Sequence, residues 1–344
     1  MDPTATRLDE IGEIALIERL HAIVGTSRAS EVLQGIGDDA AVIDIGDGRV
    51  QVVTTDALVE GVHFEQIFTP MELLGFKALS ATVSDVVAMN ALPRYATVAL
   101  GAPAETAVAR MDAIYQGLHN AADAYGVTIL GGDTTRAQVL TLTLTALGEA
   151  QADRITYRSG AVAGDAICVT GNLGAAHAGL RLMLREARAM REQKEDYRPD
   201  LGSFEYVLQR HLAPVARLRT IQDWNERGVQ PTALIDISDG LATDLHHLCN
   251  SSVCGAQIDA NWLPIAPETL RVAKIFGDDA HDYALFGGED YELLFTVPEE
   301  SLGALDSGSF RLLGYMTGDE GVTLATATGV KPLPAGGYAH FDNL

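Results

Sequence analysis

Hydrophobic residues recur every three or four positions over several long stretches, a period typical of amphipathic helices. In residues 8–24, the spacing of Ile11, Ile14, Ile17 and Leu20 gives one apolar face and predicts the first helix. The same pattern predicts further helices at residues 70–91, 104–125, 175–191 and 241–249. Helices therefore make up a large part of the predicted structure.

Short apolar runs bounded by Gly, Ser, Thr and Asp predict strands between these helices. A β-hairpin is predicted from residues 40–45 and 49–56, joined by a turn at Gly46–Gly48. Further strands are predicted at residues 94–102, 127–130, 139–147, 166–170, 232–237 and 293–297. Because each half of the chain mixes strands with long helices, the pattern predicts two α+β domains rather than one doubly wound sheet.

A break in composition separates the two halves. Residues 148–165 are mostly small or polar, in contrast to the apolar runs on either side. We place a domain boundary here, which divides the chain into residues 1–150 and 151–344. With 344 residues, each half is long enough to bury its own core.

Composition and charge exclude several classes of protein. The apolar fraction is 47% and no apolar run reaches membrane-spanning length, so we expect a globular protein without membrane association. The first residues lack a basic region followed by an apolar stretch, so we expect a cytoplasmic protein. The net charge of −23 repels phosphate backbones, and nucleic acid is therefore not an expected partner.

Two common kinds of site are also absent from the sequence. No G-x-x-x-x-G-K-[ST] motif occurs, which excludes a P-loop nucleotidase. The three cysteines are Cys168, Cys249 and Cys254, and no second Cys or His pair stands at zinc-site spacing. We assign no chemistry to the cysteines.

Carboxylates beside Gly, Ser or Thr recur along the chain, most clearly in Gly35–Asp39. The two glycines of this segment permit a tight turn, and two adjacent carboxylates follow. A strand would point the two carboxylates to opposite faces, whereas a loop can direct both at one cation. Taken alone, the segment is better interpreted as a solvated acidic turn; the recurrence favours a shared site. The candidate carboxylates are Asp38, Asp39, Asp56, Asp85, Asp133, Asp236, Asp239, Glu289 and Asp290.

Several of these motifs have simpler structural explanations when each is taken alone. Ser238 or Asp239 could cap the following helix, although this leaves Asp236 unexplained at the end of an apolar strand. The acidic residues of 286–292, taken alone, are best explained as an exposed turn, and a lone histidine such as His63 is more often structural than functional.

An oxygen-only ligand set favours hard cations. Lysine is scarce and no histidine cluster stands at ligand spacing, so the carboxylates suit Mg²⁺ rather than zinc. Since Mg²⁺ bridges substrate phosphates, many carboxylates imply several ions and a highly charged ligand such as a nucleoside triphosphate.

In their order and spacing, the motifs resemble those of the thiamine-monophosphate kinase family, whose superfamily also holds aminoimidazole ribonucleotide synthetase and selenophosphate synthetase. The resemblance covers essentially the whole chain. The motifs are G-I-G-D-D at 35–39, T-T-D at 54–56, G-x-H-F at 61–64, S-D at 84–85, G-G-D-T-T at 131–135, R-S-G at 158–160, D-x-S-D-G at 236–240, G-G-E-D-Y-E at 287–292 and the H-F ending.

The resemblance implies a two-domain synthetase-like fold. In this fold, the N-terminal mixed α/β domain forms a sheet with the same domain of a second subunit in a homodimer. The C-terminal α/β domain is larger, and ATP binds between the two domains. The family's metal positions fall on Asp39, Thr54, Thr55, Asp56, Asp85, Asp133, Asp236 and Asp239. Its ATP contacts fall on Tyr115, Gly132, Asp133, Arg158 and Ser238. Its substrate contacts fall on His63, Glu289 and Tyr338, so that Tyr338 alone supplies the aromatic contact to the thiamine rings.

The implied reaction is phosphorylation of thiamine monophosphate by ATP with several Mg²⁺ ions. The acceptor is already anionic near pH 7, so no catalytic base is expected, and the γ-phosphate would pass directly to it. Two alternatives remain open: another ATP-dependent synthetase of the superfamily, or a non-catalytic acidic protein that binds divalent cations. A selenophosphate synthetase would be expected to carry a reactive cysteine near its N-terminus, whereas the first cysteine here is Cys168.

Overall fold

Two mixed β-sheets, one in each half of the chain, organise the protein. A computed structural model describes residues 6–25, 29–193, 201–338 and 340–341. Its six-stranded and seven-stranded sheets, each covered by helices, confirm the predicted α+β fold with two domains. Within these described ranges, no helix combines the length and apolar character needed to cross a bilayer.

The N-terminal sheet has the strand order β1-β2-β3-β6-β4-β5. Its strands are β1 (Val32–Gln34), β2 (Ala41–Gly46), β3 (Arg49–Val59), β4 (Leu92–Ala102), β5 (Thr128–Arg136) and β6 (Thr141–Gln151). Strands β4 and β5 are parallel, and the other neighbouring pairs are antiparallel. Strand β5 therefore forms one edge of the sheet.

The C-terminal sheet has the order β13-β12-β9-β11-β7-β10-β8. Its strands are β7 (Ala166–Thr170), β8 (Ala233–Asp236), β9 (Gly255–Asp259), β10 (Leu293–Val297), β11 (Phe310–Thr317), β12 (Gly321–Thr326) and β13 (Gly329–Pro332). Strands β7, β8 and β10 are buried along their whole length, because both faces of the sheet are covered at this end.

The helices lie before, between and after these strands. They are α1 (Leu8–Val24), α2 (Met71–Ala88), α3 (Val108–Tyr125), α4 (Ala175–Gln193), α5 (Glu205–Leu212), α6 (Leu218–Arg227), α7 (Leu241–Ser252), α8 (Pro267–Phe276) and α9 (Ala280–Phe286). Helix α2 contacts β3 and β6 in the first half and β8, α5 and α6 in the second. This central position explains why most of α2 is buried, including its single lysine.

Helices α2 and α3 pack closely because each has a glycine at their crossing. A Cβ on Gly75 would lie 2.0 Å from the Ile114 carbonyl oxygen, and one on Gly117 would lie 1.8 Å from that of Glu72. Any side chain at either position would therefore push the helices apart.

Two strands extend beyond their predicted ends. The prediction ended the second hairpin strand at Asp56, but β3 continues to Val59 because it pairs with β6 along its whole length. The prediction placed Gly131–Thr135 in a loop, but β5 includes this segment because it pairs with β4, opposite residues 97–101. Glycines normally indicate a turn or a strand end, and here pairing with a neighbouring strand outweighed that local preference.

Helix α1 has its predicted bounds, but its apolar face is not buried. Its chain direction changes at Gly12, where φ is 72°, and no residue of the helix is buried. Ile14 and Ile17 are both exposed. The amphipathic pattern thus predicted the helix correctly but not a core contact within one chain.

Val253, at the end of α7, offers a test of backbone strain. It adopts a left-handed conformation with φ 54° and ψ 46°, and its side chain is 77% exposed. A β-branched residue is disfavoured there, whereas Asn tolerates this region. We expect Val253→Asn to raise the free energy of unfolding by about 0.5–1 kcal/mol in chemical denaturation. Val253→Ala keeps a Cβ in the same conformation and should raise the free energy of unfolding by less. An equal gain for both variants would contradict the strain argument.

Candidate functional site

Three carboxylates from separate elements meet between the two halves of the chain. Asp39 precedes β2, Asp85 lies on α2 and Asp236 ends β8, and one oxygen from each lies within 4.8 Å of the others. We call these three residues the carboxylate cluster. The first two belong to the N-terminal half and the third to the C-terminal half, so the cluster exists only when the two halves are packed together.

Neighbouring hydroxyl groups orient two members of the cluster. Thr54 Oγ1 on β3 donates a hydrogen bond of 2.6 Å to Asp85 Oδ2. Ser84 Oγ on α2 donates one of 2.5 Å to Asp236 Oδ2, which links the two halves of the chain. Both carboxylates keep a second oxygen for another partner.

Burial and mutual repulsion disfavour the ionised carboxylates. Burial, then the charge of Asp39, raises the pKa of Asp236 to about 8. Burial, then Asp56 and Asp236, raises the pKa of Asp85 well above its usual value. Burial, followed by the nearby charge of Asp39, also raises the pKa of Asp56 to about 6, although the neighbouring Thr82 hydroxyl opposes the shift. Ionisation of these carboxylates would therefore place negative charge where no equal positive charge is built in.

Arg158 is the one cation whose side chain contacts the cluster among the residues described. Its Nη2 donates a hydrogen bond of 2.6 Å to Asp39 Oδ1, and its backbone N–H donates to Asp38 Oδ2 at 3.2 Å. Burial lowers the pKa of Arg158, but the charges of Asp39 and Asp38 raise it by more, so the guanidinium stays charged. Burial, then Asp39, raises the pKa of Asp38 to about 7.

The segment Ser238–Gly240 does not form a side-chain helix cap. The N-cap of α7 is Gly240, whose backbone N–H donates a hydrogen bond of 3.1 Å to Asp244 Oδ2, and neither Ser238 nor Asp239 caps the helix. The Asp239 carbonyl instead accepts a hydrogen bond of 3.2 Å from the Tyr338 backbone. Burial, then the charge of Glu13, raises the pKa of Asp239 to about 6. The capping explanation for Ser238 and Asp239 is therefore wrong.

The structure does not bring four of the predicted site residues into contact with the cluster. Thr55 points away from Thr54 and Asp56, as strand alternation requires, and its hydroxyl lies 2.7 Å from that of Thr145. Asp133 and Gly132 are exposed on β5, which is three strand spacings, ~14 Å, from β3. Tyr115 is exposed on α3. The roles assigned to these four residues stay predictions, as do those of the other predicted site residues.

A second group of side chains lies where the C-terminal tail returns to the N-terminal half. The rings of His63 and His340 have centroids 5.2 Å apart, and those of Tyr338 and His340 are 4.9 Å apart in an edge-to-face arrangement. We call His63, Tyr338 and His340 the ring cluster. The tail can approach this closely because residue 337 is glycine: a Cβ there would lie 2.2 Å from the Asp239 carbonyl oxygen.

Glu289 lies beside the ring cluster. Two buried basic side chains, Lys77 and His211, contact its carboxylate. Its Oε1 lies 2.7 Å from Lys77 Nζ, and its Oε2 lies 3.3 Å from His211 Nδ1. Burial raises the pKa of Glu289, but Lys77 and His211 lower it by more, so the pKa falls well below its usual value. The negative charge of Glu289 favours the protonated form of both His63 and Tyr338.

The remaining acidic residues of the 287–292 segment are structural. Asp290 and Glu292 are fully buried, which rules out an exposed acidic turn. Asp290 accepts hydrogen bonds from the backbone of Gly174 and Ala176 at the start of α4, and Glu292 forms an ion pair of 2.9 Å with Arg210.

Sequence reasoning missed four residues that contact the predicted site. Asp38 was recorded as a candidate carboxylate but without a role, and His340 was noted only as part of the H-F ending. Lys77 was not singled out, since the sequence indicated only that lysine is scarce. A lysine within the apolar pattern of a buried helix was the one available signal, because such a residue needs a buried partner. Nothing in the sequence indicated His211.

The cluster has the features expected of a site for hard cations. Asp39 Oδ2 is buried and has no hydrogen-bond partner among the described residues. Buried polar atoms normally have a partner, so this oxygen is available as a ligand. Carboxylate oxygens with hydroxyl groups beside them match the preference of Mg²⁺. The residues present therefore fit a magnesium site.

Comparison with known families and proteins gives consistent matches along the chain. Residues 37–150 match the family model "AIR synthase related protein, N-terminal domain", and residues 162–325 match "AIR synthase related protein, C-terminal domain". The chain is 37% identical to a thiamine-monophosphate kinase of Escherichia coli (strain K12) over 337 residues, which cover 96% of this chain and 98% of that one. It is also 37% identical to a thiamine-monophosphate kinase of Aquifex aeolicus (strain VF5), covering 86% and 88% of the two chains.

A solved structure provides the corresponding comparison in three dimensions. The structure described as AaThiL complexed with AMPPCP and TMP superposes with a TM-score of 0.84 at 32% identity. The match covers 98% of this chain and 99% of the other. The similarity therefore includes both sheets and the region between them.

Proposed function

The chain belongs to the thiamine-monophosphate kinase family, and we propose that its carboxylate cluster holds the magnesium ions used in the reaction. The protein phosphorylates thiamine monophosphate to thiamine diphosphate with ATP. The observation that carries the magnesium proposal is the meeting of Asp39, Asp85 and Asp236 from both halves of the chain, with one buried oxygen left unpaired.

We assign the surrounding residues to three roles. Asp39, Asp56, Asp85, Asp236 and Asp239 are the proposed metal ligands, with Thr54, Thr55 and Asp133 completing the set. Arg158 and Ser238 are proposed to contact the nucleotide, together with Tyr115, Gly132 and Asp133. His63, Glu289 and Tyr338 are proposed to bind thiamine monophosphate. The proximity of His63, Tyr338 and His340 supports an aromatic site for the thiamine rings.

The chemistry requires two polyanions to approach each other. Two like unit charges at about 4 Å repel by about 4 kcal/mol at an effective dielectric constant near 20. Magnesium bound by the carboxylates would offset this repulsion and stabilise charge on the transferred phosphoryl group. The protein's own part is to hold the carboxylates and Arg158 in place before substrates bind.

We further propose direct transfer of the γ-phosphate. The P–O bond to the acceptor phosphate forms as the bond to ADP breaks, and no enzyme group becomes phosphorylated. The acceptor is anionic near neutral pH, so it needs no strong general base. With a chirally labelled γ-phosphate, direct transfer predicts inversion at phosphorus; retention would indicate a phosphoenzyme and contradict the proposal.

The reaction itself is tested by a coupled assay with ATP, Mg²⁺ and thiamine monophosphate. We expect ADP release that depends on both the acceptor and the metal. ADP release only with a different acceptor would instead support another synthetase of the superfamily. Metal binding without any turnover would support the non-catalytic alternative.

We propose that each chain divides into domains at residues 1–150 and 151–344. We also propose a homodimer that forms through β5. The described residues of β5 are almost all exposed although the strand lies at the edge of a hydrophobic sheet. An unpaired edge strand is available for pairing with another chain. The predicted nucleotide-binding residues Gly132 and Asp133 lie on this strand, so their role would be coupled to dimer formation.

Leu130 on β5 provides the test of this interface, because its side chain is 59% exposed. We expect the parent protein to be dimeric by light scattering and Leu130→Arg to shift it towards monomer, since a buried unpaired charge is costly at an interface. Ile275→Arg is the matched control, an exposed apolar residue on α8. Dimers that survive Leu130→Arg, or dissociate equally in the control, would contradict the β5 interface.

A further inference from the structure

Lys77 is a buried cation that the proposed reaction does not otherwise use. It lies on α2 with its side chain 3% exposed, and its Nζ forms an ion pair of 2.7 Å with Glu289 Oε1. Burying a lysine is costly, and an ion pair within the core often contributes little net stability. The position of this pair at the proposed substrate site therefore needs a reason beyond stability.

Glu289 is held from two sides but remains partly open. Lys77 approaches from the N-terminal half and His211, on α5, from the C-terminal half. Both of these partners are almost completely buried, whereas the Glu289 side chain keeps 26% of its surface exposed. The carboxylate thus has a fixed geometry and one accessible face. Its segment lies next to the tail, because Glu289 N–H donates to Ser238 O and Tyr338 N–H donates to the adjacent Asp239 O.

The backbone around Glu289 adds a second, independent observation. Glu289 has φ 65° and Tyr291 has φ 49°, both in the left-handed region that residues with a side chain rarely adopt. Such conformations are strained and cluster at functional sites. They persist here because backbone hydrogen bonds join Glu289 N–H to Ser238 O at 2.8 Å and Tyr291 N–H to Ile237 O at 2.8 Å.

Helix α2 also fixes the distance between the two parts of the site. Lys77 and Asp85 are eight residues apart on this helix, which corresponds to about 12 Å along its axis. One rigid element therefore sets the carboxylate cluster and the Glu289 carboxylate at a constant separation. An extended acceptor with its phosphate at one end and its amino-bearing ring at the other fits such an arrangement.

We propose that Lys77 and His211 are positioning residues that fix Glu289 as the anionic contact for the aminopyrimidine end of the acceptor. The proposal rests on the proposed role of this site in binding thiamine monophosphate. Lys77 and His211 act through Glu289 and do not touch the reacting phosphates. The contact selects an acceptor that presents a hydrogen-bond donor at the end remote from its phosphate.

The test compares two acceptors, thiamine monophosphate and the analogue in which oxygen replaces the pyrimidine amino group. A hydrogen bond to a charged group corresponds to roughly a ten- to hundredfold difference in affinity. We expect the parent to prefer the amino compound in kcat/KM by about tenfold or more. Lys77→Met and Glu289→Gln should each reduce this preference to within about threefold, with His211→Gln intermediate, while KM for ATP stays within about twofold.

A double variant shows whether Lys77 acts through Glu289. If it does, Lys77→Met combined with Glu289→Gln should show the same loss of preference as Glu289→Gln alone. The double variant also leaves no unpaired buried charge. It can therefore be used for the test if Lys77→Met does not fold. Arg154→Met is the control, because Arg154 bridges to Asn225 and the Val229 carbonyl at a distance from the site.

The outcomes separate the inference from the proposed function. A parent without turnover of thiamine monophosphate would overturn the proposed function. An active parent whose Lys77→Met or double variant keeps the full preference, with only a lower melting temperature, would overturn the positioning role alone. Loss of preference in Arg154→Met would also overturn it, because the effect would then reflect general loosening between the two halves.

Discussion

Replacement of Asp236 by Asn should lower kcat by about 100- to 1,000-fold without destabilising the metal-free protein. Asp236 is 2% exposed and shares the carboxylate cluster with Asp39 and Asp85. Loss of one preorganised electrostatic contact to a transferring group typically has an effect of that size. The amide keeps an oxygen that can accept the 2.5 Å hydrogen bond from Ser84, and it removes a buried charge that its neighbours repel. Steady-state kinetics and thermal unfolding in EDTA measure the two effects.

Asp165 provides a matched control for this substitution. It is also a buried aspartate next to a strand, and its Oδ2 accepts hydrogen bonds from Thr232 Oγ1 at 2.7 Å and the Val162 backbone at 3.1 Å. Because it lies outside the carboxylate cluster, Asp165→Asn should lower the melting temperature while kcat stays within about twofold. If Asp236→Asn instead lost stability and activity in parallel, Asp236 would be a structural residue and the magnesium proposal would lose its support.

Magnesium should stabilise the protein strongly at pH 8 and only weakly at pH 5. We expect an increase in melting temperature of about 3 °C or more at pH 8, from the relation between free energy and melting temperature for chains of this size. The ionised cluster repels itself when no metal is bound, and bound cations offset that repulsion. At pH 5 the protons occupy the carboxylates and compete with the metal.

The raised pKa values determine the direction in which metal-free stability changes with pH. Asp56 has a pKa of about 6 and Asp236 of about 8 in the folded protein, against 3.8 in the unfolded chain. The folded state therefore binds more protons than the unfolded state between these values, and metal-free stability falls as the pH rises from about 4 to about 8. His177 and His247, whose pKa values burial lowers to about 4, act in the opposite direction below about pH 6.5.

The Asp236→Asn variant separates the cluster from these histidines. It retains both histidines but loses one of the repelling carboxylates, so its metal-free stability should depend less on pH above about 6.5. Its magnesium effect at pH 8 should also be smaller. Equal pH profiles and equal magnesium effects in parent and variant would show that the cluster does not control either property.

Local sequence patterns predicted most elements because short-range physics determines them. The period of apolar residues predicted α1, α2 and α7 and the hairpin of β2 and β3, with errors mainly at their ends. Strands β1, β9 and β11–β13 and helices α5, α8 and α9 were not predicted. Among the predicted strands, the largest error was at Gly131–Thr135, because the prediction ended the strand at Leu130. The parallel pairing of β5 with β4 makes the segment a strand, and this pairing depends on residues about 30 positions away.

The candidate site was predictable in chemistry but not in geometry. Carboxylates beside small residues indicated a site for hard cations, and Asp39, Asp85 and Asp236 do converge. Side-chain alternation in the predicted strand already implied that Thr55 faces away from Asp56. Sequence alone could not show that Asp133 lies on the edge strand β5, three strands from β3. These outcomes depend on strand direction, strand order and the packing of the two halves.

The sequence by itself determined the helices and strands, the acidic oxygen-rich character of the site and the family to which the chain belongs. These features depend on residue type and on spacing over a few positions, which the chain carries directly. Only the tertiary structure decided that α2 would lie between the halves, so that Lys77 meets Glu289 and Asp85 meets Asp236. Contacts between residues 150 to 210 positions apart form when burial of apolar surface brings the two sheets together, and no local pattern encodes which polar groups then face each other.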